Sequence, residues 1–354
     1  MPTLWFILVA WMLIMYVLLD GFDLGAGIIH LVVARTNSER HLVLLAIEPV
    51  WDGNEVWLIA AAGTMFFTFP LLYASSFSGF YLPLFIVLWL LMVRGAAIVL
   101  RPRLPNVVWV SFWDGMFFLG SSLLAIFYGA ALGNVIRGVP LNSQGYFFGP
   151  LWTDFNPFSA NPGILDWYTI LTGLLAFAVL LTHGANYIAV KTEGTLNERA
   201  RRISRVGWLI AIPLAILASV ATFLVQPQVY ASFTQRPWGI IFPLIALVGL
   251  LGAGYFNFTK RDMAAFLSLG TFILGMLSSA AFSLYPLVLP AVNRANSLTI
   301  YNASASQYGL TVGLIWWSIG IVPVVIYFII TYRRFRGKVT ELQKTERESP
   351  GHSY

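Results

Sequence analysis

Residues 1–35 read MPTLWFILVAWMLIMYVLLDGFDLGAGIIHLVVAR. From residue 3 to residue 31 the stretch is almost wholly apolar, yet it contains Asp20 and Asp23. A helix needs about 20 apolar residues to cross a bilayer, and this run exceeds that. It is too long for the core of a secretory signal, and no Lys or Arg precedes Arg35 to form a positive leader. The segment is therefore expected to remain as a membrane helix with two carboxyl groups at depth.

The rest of the chain repeats the pattern. Eight more apolar runs lie at about 50–70, 74–100, 106–137, 164–192, 201–225, 237–258, 262–285 and 308–334. Of the 354 residues, 58% are hydrophobic and 10% are charged, against about 25% charged in an ordinary soluble domain. A soluble enzyme surface cannot be built from so few charges, and a disordered chain would not carry so much apolar mass. Cysteine is absent, which excludes disulfides, thiolate metal sites and cysteine nucleophiles.

The formal charge of +6 invites a nucleic-acid reading, and the placement of the bases decides against it. Eighteen of the 21 Lys and Arg fall in alternate connections: Arg35 and Arg40; Arg94, Arg101 and Arg103; Lys191 to Arg205; Lys260 and Arg261; and Arg333 to Arg347. Only Arg137, Arg236 and Arg294 fall on the other side. By the positive-inside rule the N-terminus is periplasmic and the C-terminus cytoplasmic. The expected protein is an all-α integral membrane protein of about nine transmembrane helices. Residues 1–137 form a first four-helix bundle holding the intramembrane acids, and 138–163 form a periplasmic loop. Residues 164–285 form a second bundle, 286–306 a second periplasmic loop, 307–336 a ninth helix and 337–354 a polar cytoplasmic tail. The loop 138–163, with Phe147, Phe148, Trp152, Phe155 and Phe158, is expected to lie against the interface or a partner. Asn302-Ala303-Ser304 fits a glycosylation sequon and is read as chance.

The two bundles echo one another weakly. Asp20-Gly21-Phe22-Asp23 with Glu39-Arg40 is matched by His183-Gly184-Ala185-Asn186 with Glu198-Arg199. A parallel duplication of four spans explains the match.

An ionisable side chain inside a span costs about 2.5–3.5 kcal/mol on insertion scales. Five acids incur that cost: Asp20, Asp23, Asp52, Glu55 and Asp114. The orientation puts all five in the cytoplasmic half. One reading is a path that takes protons in from the cytoplasm. The plainer readings are a helix cap for Asp52 with Glu55, an ion pair of Asp20 or Asp23 with Arg94, and an inter-helix partner for Asp114. His30 and His41 are placed at or beyond the end of the first span, which leaves His183 alone at depth. A lone histidine is more often a packing residue, so no haem or metal is expected to be ligated by this chain. The fold also admits a proton-coupled secondary transporter or a purely structural subunit.

Three ordered stretches carry a resemblance: Leu19-Asp20-Gly21-Phe22-Asp23-Leu24-Gly25, Pro49-Val50-Trp51-Asp52-Gly53-Asn54-Glu55-Val56-Trp57-Leu58 and Ser78-Gly79-Phe80-Tyr81. Arg94-Gly95, Trp113-Asp114, Gly133-Asn134 and Thr182-His183-Gly184-Ala185 follow in order. Together they resemble subunit II of cytochrome bd-type quinol oxidases, a group of bacterial terminal oxidases that includes cyanide-insensitive members, over nearly the whole chain. The resemblance implies a partner subunit I that carries the haem b and haem d-type centres and oxidises quinol, while the complex reduces oxygen to water. It implies location in the bacterial inner membrane, a small single-helix subunit as a further partner, and in some members a structural quinone in subunit II. It also implies a cytoplasmic proton route lined here by Asp20, Asp23, Asp52 and Asp114. Two positions depart from the pattern: Val50 stands where some relatives have His, and Val99 where many have an acid.

Overall fold

The computed structural model describes residues 1–153, 156 and 163–339. Phe155, Phe158 and the tail from residue 340 onward lie outside the described residues. The chain is almost entirely helical. Its elements are α1 (Pro2–Val33), α2 (Asn37–Ile47), α3 (Trp51–Thr68), α4 (Pro70–Gly79), α5 (Tyr81–Leu100), α6 (Val107–Arg137), α7 (Trp167–Lys191), α8 (Gly194–Val225), α9 (Gln228–Gln235), α10 (Ile241–Phe258), α11 (Asp262–Leu284) and α12 (Gln307–Arg334). A short antiparallel pair, β1 (Leu287–Leu289) and β2 (Leu298–Thr299), precedes α12.

Among the described residues, eight helices are long and apolar enough to cross a membrane. They correspond to eight of the nine expected runs. The run at 50–70 is α3, an 18-residue helix whose first turns carry Asp52, Asn54 and Glu55 and dilute its apolar character.

The run at 74–100 is broken, and the sequence shows why. Pro70 opens α4, and Phe69 before it takes the extended-side conformation that a following proline imposes (φ −132°). Pro83 has no N–H to bond the carbonyl four residues back, so the helix cannot continue through Gly79. The freed Gly79 carbonyl accepts instead from Gly149 N at 3.0 Å. A ring edge of Phe147 fills the space where a Gly79 side chain would stand. The aromatic loop 138–163 is thus tied to the α4–α5 break.

Helix α2 is an element the hydropathy pattern does not reveal. It opens on a capping box, with Glu39 N donating to Thr36 Oγ1 and the Glu39 carboxylate accepting from the Arg35 and Thr36 amides. Arg199 at the start of α8 also grips Glu39. Partial burial alone would raise the Glu39 pKa, but these hydrogen bonds and the Arg199 charge hold it below the ordinary carboxylate value. A depressed pKa stabilises the fold above the ordinary carboxylate range, and that stability is lost as pH falls through the folded-state value. Amide exchange in α2, corrected for intrinsic rate, should therefore accelerate on acidification. In Glu39→Gln that pH-dependent part should vanish, with a cost at neutral pH of about 1 kcal/mol.

Packing is organised around α1 and α7. Helix α1 lies on α3, α6 and α7; α6 also packs on α5 and α7; α7 packs on α8 and α11; α10 packs on α11. Large apolar side chains clothe the outer faces of α8, α10 and α12, as lipid-facing helices require.

Candidate functional site

Helix α1 carries Tyr16, Asp20, Asp23, Gly27 and His30 at steps of three or four residues, so all five share one face. The stripe spans about 21 Å at 1.5 Å per residue. Helix α6 runs antiparallel and answers with Tyr128, Ser121 and Asp114, spaced by seven. Helix α3 packs on α1, and α5 packs on α6.

At one end Tyr16 donates to Tyr128 at 2.8 Å. One turn on, Arg94 from α5 holds both oxygens of Asp20, with Nη1 to Oδ2 at 2.9 Å and Nη2 to Oδ1. Both residues are fully buried. The expected ion pair therefore belongs to Asp20 and not to Asp23. Arg94 approaches closely because Gly120 of α6 offers it no side chain.

Asp23 is held differently. Its Oδ2 accepts from Asn54 Nδ2 at 2.7 Å, and the same amide also reaches Leu19 O at 3.2 Å. Asn54 Oδ1 in turn accepts from Tyr332 on α12 at 2.9 Å. Asp23 Oδ1 is buried and meets no hydrogen-bonding group of the protein. Glu55 is half-buried and Asp52 is exposed on the chain. The cap reading of Asp52 with Glu55 does not hold, because Val50 occupies the cap position of α3 and makes no side-chain cap bond.

Further along the stripe, Gly27 makes room for Ser121, whose Oγ would lie 2.0 Å from a side-chain carbon at position 27. Ser121 Oγ is buried without a hydrogen-bonding partner. Beyond it Asp114 receives His30 Nε2 at 2.6 Å, Arg101 Nε at 2.5 Å and Arg40 Nη1 at 3.1 Å. Arg101 also donates to Asn37 at 2.7 Å. Asp114 thus has the inter-helix partners expected for it and pins α1, α2 and the turn after α5 to α6. His30, read from sequence as lying at a helix end, is fully buried.

The two departures differ in their surroundings. Val50 is buried in an apolar cluster with Ile47, Ala97 and Ile98. Val99 is exposed.

Among the described residues, no group of three or more His, Asp or Glu is gathered as a metal site. His183 bonds Leu18 O at 3.1 Å and stacks on Phe266, so it packs α7 against α1. The echo segments also meet in space, where the Phe22 ring lies edge-on to His183. Gly25 of α1 abuts Gly184 of α7, and Asn186, which matches Asp23 in the echo, accepts from Ser204 of α8 at 2.6 Å. Sequence reading gives none of Tyr16, Asn54, Ser121 and His30 a place in this stripe: Asn54 stands only in a quoted motif, and His30 is placed at the helix end. The seven-residue steps from Tyr16 to Asp23 to His30 are the signal that could have found the α1 members.

Comparison with known proteins agrees with the resemblance. Residues 1–335 match the family described as cytochrome bd terminal oxidase subunit II. A probable cytochrome oxidase subunit 2 of Haemophilus influenzae is 31% identical, over 95% of this chain and 94% of the relative. The cytochrome bd-I ubiquinol oxidase subunit 2 of Escherichia coli K12 is 29% identical over 96% and 95%. The cytochrome bd ubiquinol oxidase subunit 2 of Bacillus subtilis is 32% identical over 95% and 96%. A chain in the structure of bd oxidase from Geobacillus thermodenitrificans superposes with a TM-score of 0.73 at 16% identity, covering 94% of this chain and 98% of that one, which shows the shared fold. A match over nearly the full length, with eight membrane-length apolar helices among the described residues, makes this chain a member of the cytochrome bd terminal oxidase subunit II family and a multi-pass inner-membrane component of a respiratory oxidoreductase.

Proposed function

We propose that this chain supports a haem-bearing subunit I and conducts cytoplasmic protons along the α1 stripe toward it, for the reduction of oxygen by quinol. The observation that carries the reading is Asp23. Its carboxyl group is fully buried, is oriented by Asn54, and keeps one oxygen free of any protein partner. Such a group can accept and pass on a proton. Glu55 and Asp52, on the same end of α3, would feed it. Asp20 and Asp114 are each clamped by arginine, and in this reading they hold the helices in register and set the local field. Ser121 bridges the gap at Gly27. Tyr16 and Tyr128 lead onward from Asp20.

The topology that suits this role has nine spans, with α3 as the second and the α4–α5 pair as the third. The N-terminus is periplasmic and the C-terminus cytoplasmic. Residues 1–137 and 164–285 form two bundles beside a peripheral α12. The segregation of 18 of 21 basic residues supports the orientation. An α3 spanning the membrane with Asp52 exposed needs a protein partner there, since lipid would leave that carboxylate unsolvated. His30 and His183 are both engaged in bonds of their own, which fits haem held by the partner subunit.

The test is Asp23→Asn in the assembled complex. The amide keeps shape and cannot carry a proton, so turnover and proton uptake should fall at least about tenfold while the haem spectrum stays unchanged. Ser121→Ala, which removes the hydroxyl and adds no atom beside Gly27, should slow proton uptake and spare assembly. Full turnover in Asp23→Asn would leave the purely structural reading in place.

A further inference from the structure

The largest concentration of charge that the α1 stripe leaves unused lies at one end of α8. Glu198, Arg201, Arg202 and Arg205 of α8 and Lys260 of the α10–α11 turn line a cavity of about 210 Å³. Arg201 is already neutralised, because its Nε and Nη2 bond the two oxygens of Asp262 at 2.6 and 2.8 Å. Among the described residues Arg202, Arg205 and Lys260 have no carboxylate within 4 Å. Arg205 Nε is buried without a partner, and its guanidinium lies over the Phe258 ring, 5.7 Å from its centre. Lys260 takes the left-handed conformation (φ 59°) in the turn. With Glu198 as the one opposing charge, the cavity keeps an excess of two positive charges.

The surroundings are those of a membrane boundary. The basic residues occupy the first turns of α8, and the helix is apolar from there to Val225. Directly beyond the cavity, Val206 and Leu209 of α8 and Leu251 and Tyr255 of α10 present exposed apolar side chains. The two helices are fastened by Trp208, which packs against Gly254 and donates to Leu250 O at 2.8 Å. The arrangement is a cationic pocket beside the exposed apolar side chains of two packed helices.

We propose that this pocket is a binding site for the headgroup of an anionic phospholipid. The phosphodiester would sit among Arg202, Arg205 and Lys260, and the acyl chains would lie along the exposed faces of α8 and α10. Charge complementarity selects an anion, and the adjoining exposed apolar side chains select one that carries chains. Arg201, held by Asp262, forms the wall, and Glu198 disfavours a second anion beside it.

The test uses the whole complex, exchanged into nanodiscs of equal phosphatidylglycerol and phosphatidylcholine and then examined by native mass spectrometry. The natural complex should retain phosphatidylglycerol preferentially. Arg202→Gln with Arg205→Gln and Lys260→Gln should lower that retention at least about tenfold. Arg333→Gln with Arg334→Gln and Arg336→Gln, the same charge change at exposed positions elsewhere, should leave it intact. Should the first triple variant fail to assemble, Arg202→Glu alone, at an exposed position, should abolish the preference. Unchanged retention in the triple variant or in Arg202→Glu overturns the proposal, and so does equal loss in the control. Release of the retained lipid by millimolar inorganic phosphate would reassign the pocket to free phosphate and overturn it as well.

Discussion

Replacing Arg94 by Gln should destabilise the assembled oxidase by about 3–5 kcal/mol, the usual cost of removing one partner from a buried ion pair. Both Arg94 and Asp20 are fully buried, so water cannot take over the carboxylate that the guanidinium now holds at both oxygens. Removing the charge of Asp20 at the same time should restore most of the loss. Asp20→Asn with Arg94→Gln leaves two neutral groups of similar shape that can bond each other. The four proteins form a double-mutant cycle, read as unfolding temperature of the detergent-solubilised complex. A coupling near zero, with Arg94→Gln as stable as the natural protein, would show that the pair does not hold α1 to α5. The cycle also separates two uses of the acids. If Asp20→Asn with Arg94→Gln is stable and still turns over, Asp20 is a brace, and the proton work falls to Asp23.

That division was only half visible in the sequence. The acids themselves stand out, because each costs free energy in a membrane and demands a reason. Their partners do not. Asn54, Ser121, Tyr16 and His30 are ordinary residue types; the roles of the last three depend on α6 lying antiparallel to α1, and that of Asn54 on α3 and α12 meeting at Asp23. His30 shows the limit well. It lies near the end of a 32-residue helix, longer than the hydrocarbon requires, so hydropathy puts it at the boundary. Its side chain nevertheless turns inward to Asp114 at 2.6 Å, and only its seven-residue spacing from Asp23 hints at this. The helices fared better, since about 20 apolar residues leave little choice of structure. The exceptions have local causes: Pro83 breaks the third run, and Pro70 ends the second, whose polar start also weakens it. Helix α2 escaped because an 11-residue capped helix carries no hydropathy signal.

The second large effect is expected where the two halves of the echo touch. A side-chain carbon on Gly25 would lie 2.0 Å from Leu180 O and 2.6 Å from Gly184 N, and one on Gly184 would lie 2.1 Å from Gly25 C. The obstacles are backbone atoms, which cannot swing aside as a side chain does. Helices α1 and α7 would have to separate, and with them the contacts of Phe22 with Tyr187 and of His183 with Leu18. Close crossing through small residues is how membrane helices gain packing energy without a hydrophobic drive. Gly25→Ala and Gly184→Ala should therefore each cost at least about 3 kcal/mol, at the upper end for overpacked cores, and Gly184→Leu should prevent accumulation of the subunit. Gly115 supplies the control, because nothing stands within 4 Å of its missing side chain. Gly115→Ala should be neutral or stabilising by up to about 1 kcal/mol through helix propensity. Thermal unfolding of the three alanine variants checks the ordering. Equal stability of Gly25→Ala and Gly115→Ala would mean that the close α1–α7 crossing is not a joint on which the fold depends.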